Sequence, residues 1–436
     1  MSVARERARL GICLNLPLSL ALRVADEARQ RCDPVWIIDS HASEVAHERR
    51  ILERLGDVVD VAGSPSLGAC LGAARVDALV AFTDDRLDEV ASAAAERGIA
   101  FEEPPVAERL VDKLAQREAL AAAGLPGPRF YALEATADAA ERAHAGREVG
   151  FPAVLKPRRA NGSRLTVRLE DTRALDNALA AIVADPDPAI TGGFILESLL
   201  ADPTAPCSAF APLVSLECAV IEGAVHPIVL SGRRPLAAPF REAGLFIPSD
   251  LAPADAAAVI EMGTRAVAAL GITRSVLHVE VKDTPAGPRV VEVNGRPGGT
   301  VPEVLDRAGA RFSLSALALD VALGQAAPPA LLAELPAVGY HLVWPPPVEA
   351  TRVLAVNGLP EIGALAGVDE VYLNRRPGDS VDWRRGFGEF VFHVAGSAPD
   401  HRSFARLAEH IDRTVAVAYE HEDTRRLRCG EGRVPA

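Results

Sequence analysis

The chain has 436 residues, of which 49% are hydrophobic and 24% charged. That length predicts about three packed units, and the composition excludes disorder, collagen and a disulfide-stapled miniprotein. A formal charge of -13 and the lack of a basic run with interleaved aromatics exclude nucleic acid as the expected partner, because a polyanion is repelled at long range.

At the N-terminus Arg5, Arg7 and Arg9 precede the apolar run Leu10 to Leu22, which has the outline of a secretory signal. Glu6, Asn15 and Pro17 weaken that outline, so the run reads as a buried strand and then a helix that carries Arg23 and ends near Arg31. Gly11 to Leu16, Val35 to Asp39, Val58 to Ala62 and Ala78 to Phe82 read as strands with helical patterns between them. This alternation predicts a parallel sheet with ligands at the carboxyl ends of its strands. Asp84 and Asp85 stand at one such end, where they read as the N-cap of a helix from Leu87 to Arg97. No run reaches the roughly 18 apolar residues of a membrane span. Six cysteines (Cys13, Cys32, Cys70, Cys207, Cys218 and Cys429) lack C-x-x-C or metal-ligand spacing, which predicts reduced thiols, no zinc and a cytoplasmic location.

A helix from Asp112 to Ala123 follows, capped by Asp112 and closed by Gly124 and Pro126. Strands at Ala153 to Lys156 and Leu165 to Leu169 then flank a polar loop. Further strands are expected at Phe194 to Leu196, Leu213 to Ile221 and Val225 to Leu230, with a helix from Pro253 to Leu270. After a helix ending at Gly324, the Pro/Ala-rich stretch Ala326 to Pro336 marks a boundary. The last hundred residues read as short strands and a helix from Arg402 to about Tyr419.

The segment SVLHVEVKDTPAGPRVVEVNGRPGG from Ser275 carries the chemistry. Alternation puts His278, Glu280 and Lys282 on one strand face, and the next strand repeats the pattern with Glu292 and Asn294. A regular hairpin centred on Ala286 sets Glu280 opposite Glu292 and His278 opposite Asn294. Facing like charges destabilise a ladder unless something offsets them, and a divalent cation would do so. Two carboxylates and an amide oxygen are hard ligands that select magnesium or manganese over zinc. Arg296 and the backbone of Gly298 and Gly299 follow at once, which suits stabilisation of a developing anion. Lys156 ends the strand FPAVLK beside the loop Pro157 to Arg164, where ammonium and backbone amides could meet phosphate oxygens.

These segments resemble the ATP-grasp superfamily, specifically carboxylate-amine ligases with the three-domain layout of biotin carboxylase. VDKLAQREALAAAGLPGPRF is similar to the family's D-K, R, aGlp-P segment, FPAVLKPRRANGS to its P-x-x-x-K-P strand and phosphate loop, and VVEVNGRPGG to its E-x-N-x-R signature. The resemblance implies a mixed α/β and α+β fold. It would comprise an N-terminal parallel α/β domain over residues 1–110, an ATP-grasp domain over 111–325 with a small mobile lobe at 127–193 and a large lobe at 194–325, and a small β-rich C-terminal domain over 326–436. It implies Lys113 and Lys156 on ATP phosphates with Ser163 in the phosphate loop, Glu197 near the adenine amino group and Glu217 near the ribose. Glu280, Glu292 and Asn294 would hold Mg2+ or Mn2+. Arg296 would act on the transferring phosphoryl group or acyl oxyanion. Glu242, Ser249, Gly298 and Gly299 would contact substrate.

The implied activity is ATP-dependent amide or peptide bond formation through an acylphosphate, with ADP and phosphate released. The implied partners are a small-molecule carboxylate and amine, without membrane or nucleic acid, and a homodimer is left open. Two rivals are bicarbonate activation through carboxyphosphate and a catalytically silent nucleotide binder. Residues Leu213 to Ile221 lack the H-x-E-x-Q run of biotin carboxylases, and the P-F-R-E-A-G segment at Pro239, followed by Pro248 and Ser249, looks more like the amino acid ligases. The loop RRANGSRL departs from the family in holding a single glycine, Gly162.

Overall fold

The computed structural model describes residues 7–14, 18–39, 49–62, 66–84, 86–203, 210–421 and the backbone of 427–429. Strands β1 (Arg9–Cys13), β2 (Asp33–Ile38), β3 (Asp57–Asp60) and β4 (Ala78–Ala81) form a parallel sheet in the order β3-β2-β1-β4. Side chains alternate across a strand, so Leu10, Ile12, Trp36 and Ile38 enter one core while Cys13, Val35, Ile37 and Leu79 enter another. Burial on both faces is what a parallel sheet covered by helices requires. Helix Leu87–Arg97 matches its expected span.

The small lobe is an antiparallel sheet of β5 (Phe130–Leu133), β6 (Ala153–Arg159), β7 (Val167–Leu169) and β8 (Thr191–Ser198), ordered β5-β8-β6-β7. Helices Ala139–Val149 and Thr172–Ala184 pack on it and close a separate core around Leu155, Leu175 and Leu196.

An eight-stranded sheet dominates the remainder. It contains β9 (Ala211–Ile221), β10 (Ala224–Arg233), β11 (Gly244–Ile247), β12 (Ser275–Lys282), β13 (Arg289–Asn294) and β14 (Val338–Val343). Beyond β15 (Ala350–Asn357), β16 (Val368–Leu373) and β17 (Phe392–Ala398) complete it, in the order β13-β12-β9-β10-β11-β14-β17-β16. The expected boundary near residue 326 therefore does not interrupt the sheet, since β11 pairs with β14 from Gly244↔Leu342 to Ile247↔Gly339. Helix Pro253–Leu270 covers one face, and its apolar residues share a core with the first sheet.

The expected C-terminal helix is shorter than its reading. It spans His401–Thr414, and β18 (Ala416–His421) follows, pairing with β15 and with β19 (Leu427–Cys429). Val415, Val417 and Tyr419 are buried at alternate positions, a strand period that the pairing with β15 selects over the helical one. Cys13, Cys32 and Cys218 are buried thiols. Cys207, Asp85 and the side chain of Cys429 lie outside the described residues. Among the described residues no helix is long and apolar enough to cross a membrane.

Candidate active site

The hairpin register expected from alternation is the one observed. His278 pairs with Asn294 and Glu280 with Glu292, and a bulge follows that shifts Val281 onto Val290. On its other edge β12 pairs with β9, setting His278 beside Glu217 and Glu280 beside Ser215. Two carboxylates thus face each other on neighbouring strands with an amide one pleat away.

Two lysines lie near this cluster, one on a helix and one on β6. Asp112 caps helix Lys113–Ala122 by accepting from the Leu114 amide at 2.9 Å, as expected. Lys113 in the first turn donates to the Ala160 carbonyl of the phosphate loop at 2.6 Å and pairs with Glu292 Oε1 at 2.9 Å. Lys156 on β6 is buried and pairs with Glu197 Oε2 at 2.8 Å. Burial pushes the Lys156 ammonium below its usual pKa, while Glu197 pulls it back.

Arg117, one helical turn after Lys113, was part of the quoted D-K, R segment but carried no expected role. It is 5% exposed and donates Nε to Glu197 Oε1 at 2.6 Å and its terminal nitrogens to the carbonyls of Val290 and Val291 at 2.9 and 2.6 Å. Burial alone would raise the Glu197 carboxyl, but Arg117 and Lys156 outweigh it and hold it at about 2. Both Glu197 oxygens, on the residue implied near adenine, are thus engaged by the cations Arg117 and Lys156.

Glu217, implied near a ribose, lies inside the sheet beside the hairpin. It is fully buried, bonded through Oε1 to His278 Nδ1, and accepts the Gly298 amide on Oε2 at 3.0 Å. Its carboxylate fixes the proton on Nδ1 and, against the effect of burial, draws the imidazole pKa up to about 9. Gly298 has to be glycine here, because a Cβ would lie 2.7 Å from His278 Nδ1 and 2.6 Å from Val301. The Gly298 amide therefore orients Glu217, while Gly299 is exposed with open space around it.

Arg233 on β10 escaped the sequence reading. It is buried, donates to the hydroxyls of Ser215 and Ser231 at 2.8 and 3.0 Å, and lies 3.2 Å from His278 Nε2. Its Nε is 3.4 Å from Glu242 Oε1, which links the expected substrate residue Glu242 to Arg233 and, through it, to His278. Ser249 is held through its amide by the Leu230 carbonyl of β10 at 2.9 Å. The Ser163 hydroxyl, expected at phosphate, donates to the Phe240 carbonyl at 2.9 Å.

Arg296 pairs through Nε with Asp84 Oδ2 at 2.6 Å and donates Nη1 to the Pro297 carbonyl at 3.0 Å. This corrects the reading of Asp84 as a helix cap. Arg86 occupies the N-cap position, with no side-chain cap.

The donor set fits a hard divalent cation. Among the described residues no group of three His, Cys, Asp or Glu side chains gathers as a metal site, and the third donor here is an amide. Asn294 donates its nitrogen to the His278 carbonyl at 3.3 Å, which leaves its oxygen as the ligand atom. Glu280 is held ionised at about 2, burial being outweighed by His278 and Arg233. The Lys113 ammonium on Glu292 supplies the positive charge that facing carboxylates need.

No protein-family profile matches the chain. Over 328 residues it is 25% identical to the uncharacterized protein y4rH of Sinorhizobium fredii, a match covering 72% of this chain and 63% of that protein. Over 92 residues it is 36% identical to carnosine synthase 1 of Mus musculus, covering 18% of this chain and 11% of that one. The chain thus spans less than two thirds of either relative. Among solved structures it is similar to an L-amino acid ligase from Bacillus licheniformis, with a TM-score of 0.70, 18% identity, and 96% of this chain and 100% of that chain covered. It is similar also to N5-carboxyaminoimidazole ribonucleotide synthetase from Thermotoga maritima, with a TM-score of 0.65, 16% identity, and coverage of 94% and 99%. The chain has the ATP-grasp fold that these structures share.

Proposed function

We propose that the chain is an ATP-dependent carboxylate-amine ligase that joins amino-acid-like substrates. The observation that carries this reading is the Lys113–Glu292 ion pair on the face formed by Glu280, Glu292 and Asn294, two residues before Arg296. Similarity in fold to an L-amino acid ligase along nearly the whole chain supports it.

Bound MgATP would supply the γ-phosphoryl group together with the charge neutralisation that phosphoryl transfer requires. Glu280, Glu292 and the Asn294 oxygen would hold the metal. Lys113 and Lys156 would bind phosphate oxygens, Lys156 being kept in place by Glu197 and Arg117. A carboxylate oxygen of the acid substrate would take the phosphoryl group as ADP leaves. The amine, entering as the free base, would then attack the acyl carbon, phosphate would depart with the bonding electron pair, and the nitrogen's surplus proton would pass to the departing phosphate. Arg296 would stabilise the charge developing on the transferring group, for which a planar guanidinium offers two aligned donors. Glu242 and Arg233, paired at 3.4 Å, would offer charges of opposite sign to an amino-acid-like substrate.

The test is phosphate release from MgATP with pairs of amino acids, followed by product mass. Hydroxylamine with the acid alone should yield a hydroxamate. Phosphate release without an amide product, or no hydroxamate from an active acid, would overturn the acylphosphate reading.

A further inference from the structure

We propose that Asp84 of the N-terminal domain is a positioning residue for Arg296, so that the first domain sets the arginine of the proposed phosphoryl-transfer site. The inference rests on the role given to Arg296 above. Asp84 lies three residues beyond β4, at the carboxyl end of a parallel sheet, where such folds place functional groups. Its carboxylate meets Nε of Arg296 at 2.6 Å. The ion pair at Nε and the Nη1 bond to the Pro297 carbonyl together hold the guanidinium, and among the described residues no hydrogen bond takes up Nη2.

The surroundings make this contact rigid. Gly295, between Asn294 and Arg296, presses on the N-terminal domain so closely that a Cβ there would lie 2.7 Å from Leu87 Cδ2 and 3.1 Å from Leu110 Cδ1. Leu79, Leu87 and Leu110 share one core with Val279, Val290 and Val293 of the hairpin. Asp84 and Arg296 are therefore set against each other by packing, which is the condition for holding a catalytic group in a productive geometry. Asp84 leaves the following helix without a side-chain cap, and the neighbouring cation Arg86 is satisfied elsewhere, by Asp39 at 3.0 Å and Glu89 at 2.6 Å.

The test compares two probes by calorimetry, MgATP and MgADP with aluminium fluoride, which imitates a phosphoryl group in transfer. Asp84→Asn should bind MgATP within about twofold of the parent chain and bind the fluoride complex at least tenfold more weakly. Arg296→Lys should show the same split, and the double variant should be no worse than Arg296→Lys, as expected of residues acting as a unit. Asp84→Glu, which keeps the charge, should recover part of the loss and serves as the second probe if Asp84→Asn does not fold. Equal weakening of both probes by Asp84→Asn, or losses that multiply in the double variant, would overturn the positioning role while leaving Arg296 in place. Normal fluoride binding by Arg296→Lys would instead remove the role of Arg296, and that of Asp84 with it.

Discussion

Lys113 and Glu292 form a 2.9 Å ion pair that joins the first turn of a helix to the carboxylate face of the hairpin. The ammonium rests on an oxygen that would also be a metal ligand, so cation and lysine compete for one carboxylate until phosphate draws the lysine away. Lys113→Met should raise the affinity of the nucleotide-free protein for Mn2+ several-fold, since about 1 kcal/mol of competing attraction is removed even at the dielectric of water. The same variant should bind MgATP roughly tenfold more weakly. Titration of Mn2+ by calorimetry, with and without nucleotide, checks both directions, and a fall in Mn2+ affinity would contradict the competition.

Glu292→Gln should abolish turnover and leave the fold intact, because it removes one of the two charges proposed to hold the metal. Glu280→Gln should act similarly. The double variant should be barely slower than either, since the two serve one ion. Independent, multiplicative losses in phosphate release would argue for separate roles.

The hairpin was legible because a period of two and a single turn fix which residues face each other. Glu280 opposite Glu292 follows from local sequence alone. What alternation cannot supply is the identity of a partner on a distant strand. The contact of Glu217 with His278 arises from the β9 and β12 pairing, and no signal near either residue announces it. The same holds for Asp84, whose local sequence favours a helix cap and whose partner Arg296 follows a strand of another sheet. Arg117 was closer to view, being one turn from Lys113 on the same helix face, but only the folded lobes show that Glu197 waits for it. The residues at 415–419 fit helix and strand alike, and pairing with β15 decides between them.

The pairing of Glu197 should be visible in acid. Its folded pKa of about 2 lies below the model-peptide value of 4.5, so the unfolded chain takes up the proton first. The contribution to stability is then complete above about pH 4.5 and is lost as pH falls toward 2. Glu197→Gln lacks that charge at every pH and strands Arg117 and Lys156, which should cost on the order of 3 kcal/mol at neutral pH. Its Tm should also vary less than the parent's between about pH 5 and 3. Parallel Tm curves for the two proteins would show that Glu197 is not the titrating link.

The loop Pro157 to Arg164 is braced from two flanks, and these contacts should govern its mobility. Arg159 on β6 pairs with Asp88 at 2.6 Å and Glu108 at 2.5 Å in the N-terminal region. On the other flank the C-terminal segment Trp383–Glu389 exchanges backbone bonds with the loop, Phe387 N–H to the Gly162 carbonyl at 2.9 Å and Leu165 N–H to the Arg384 carbonyl at 3.1 Å. That approach requires Gly386, whose φ of 80 and ψ of -146 suit glycine and whose added Cβ would lie 2.4 Å from the Gly162 oxygen. Gly386→Ala, strained by about 1–3 kcal/mol, should therefore release the loop and speed amide exchange over residues 160–166 by roughly tenfold or more. MgATP should slow exchange across 127–193 in the parent chain, as for a lid drawn from the low-stability end of a structure. Exchange over 160–166 that is unchanged in Gly386→Ala would mean that the C-terminal segment does not restrain the loop.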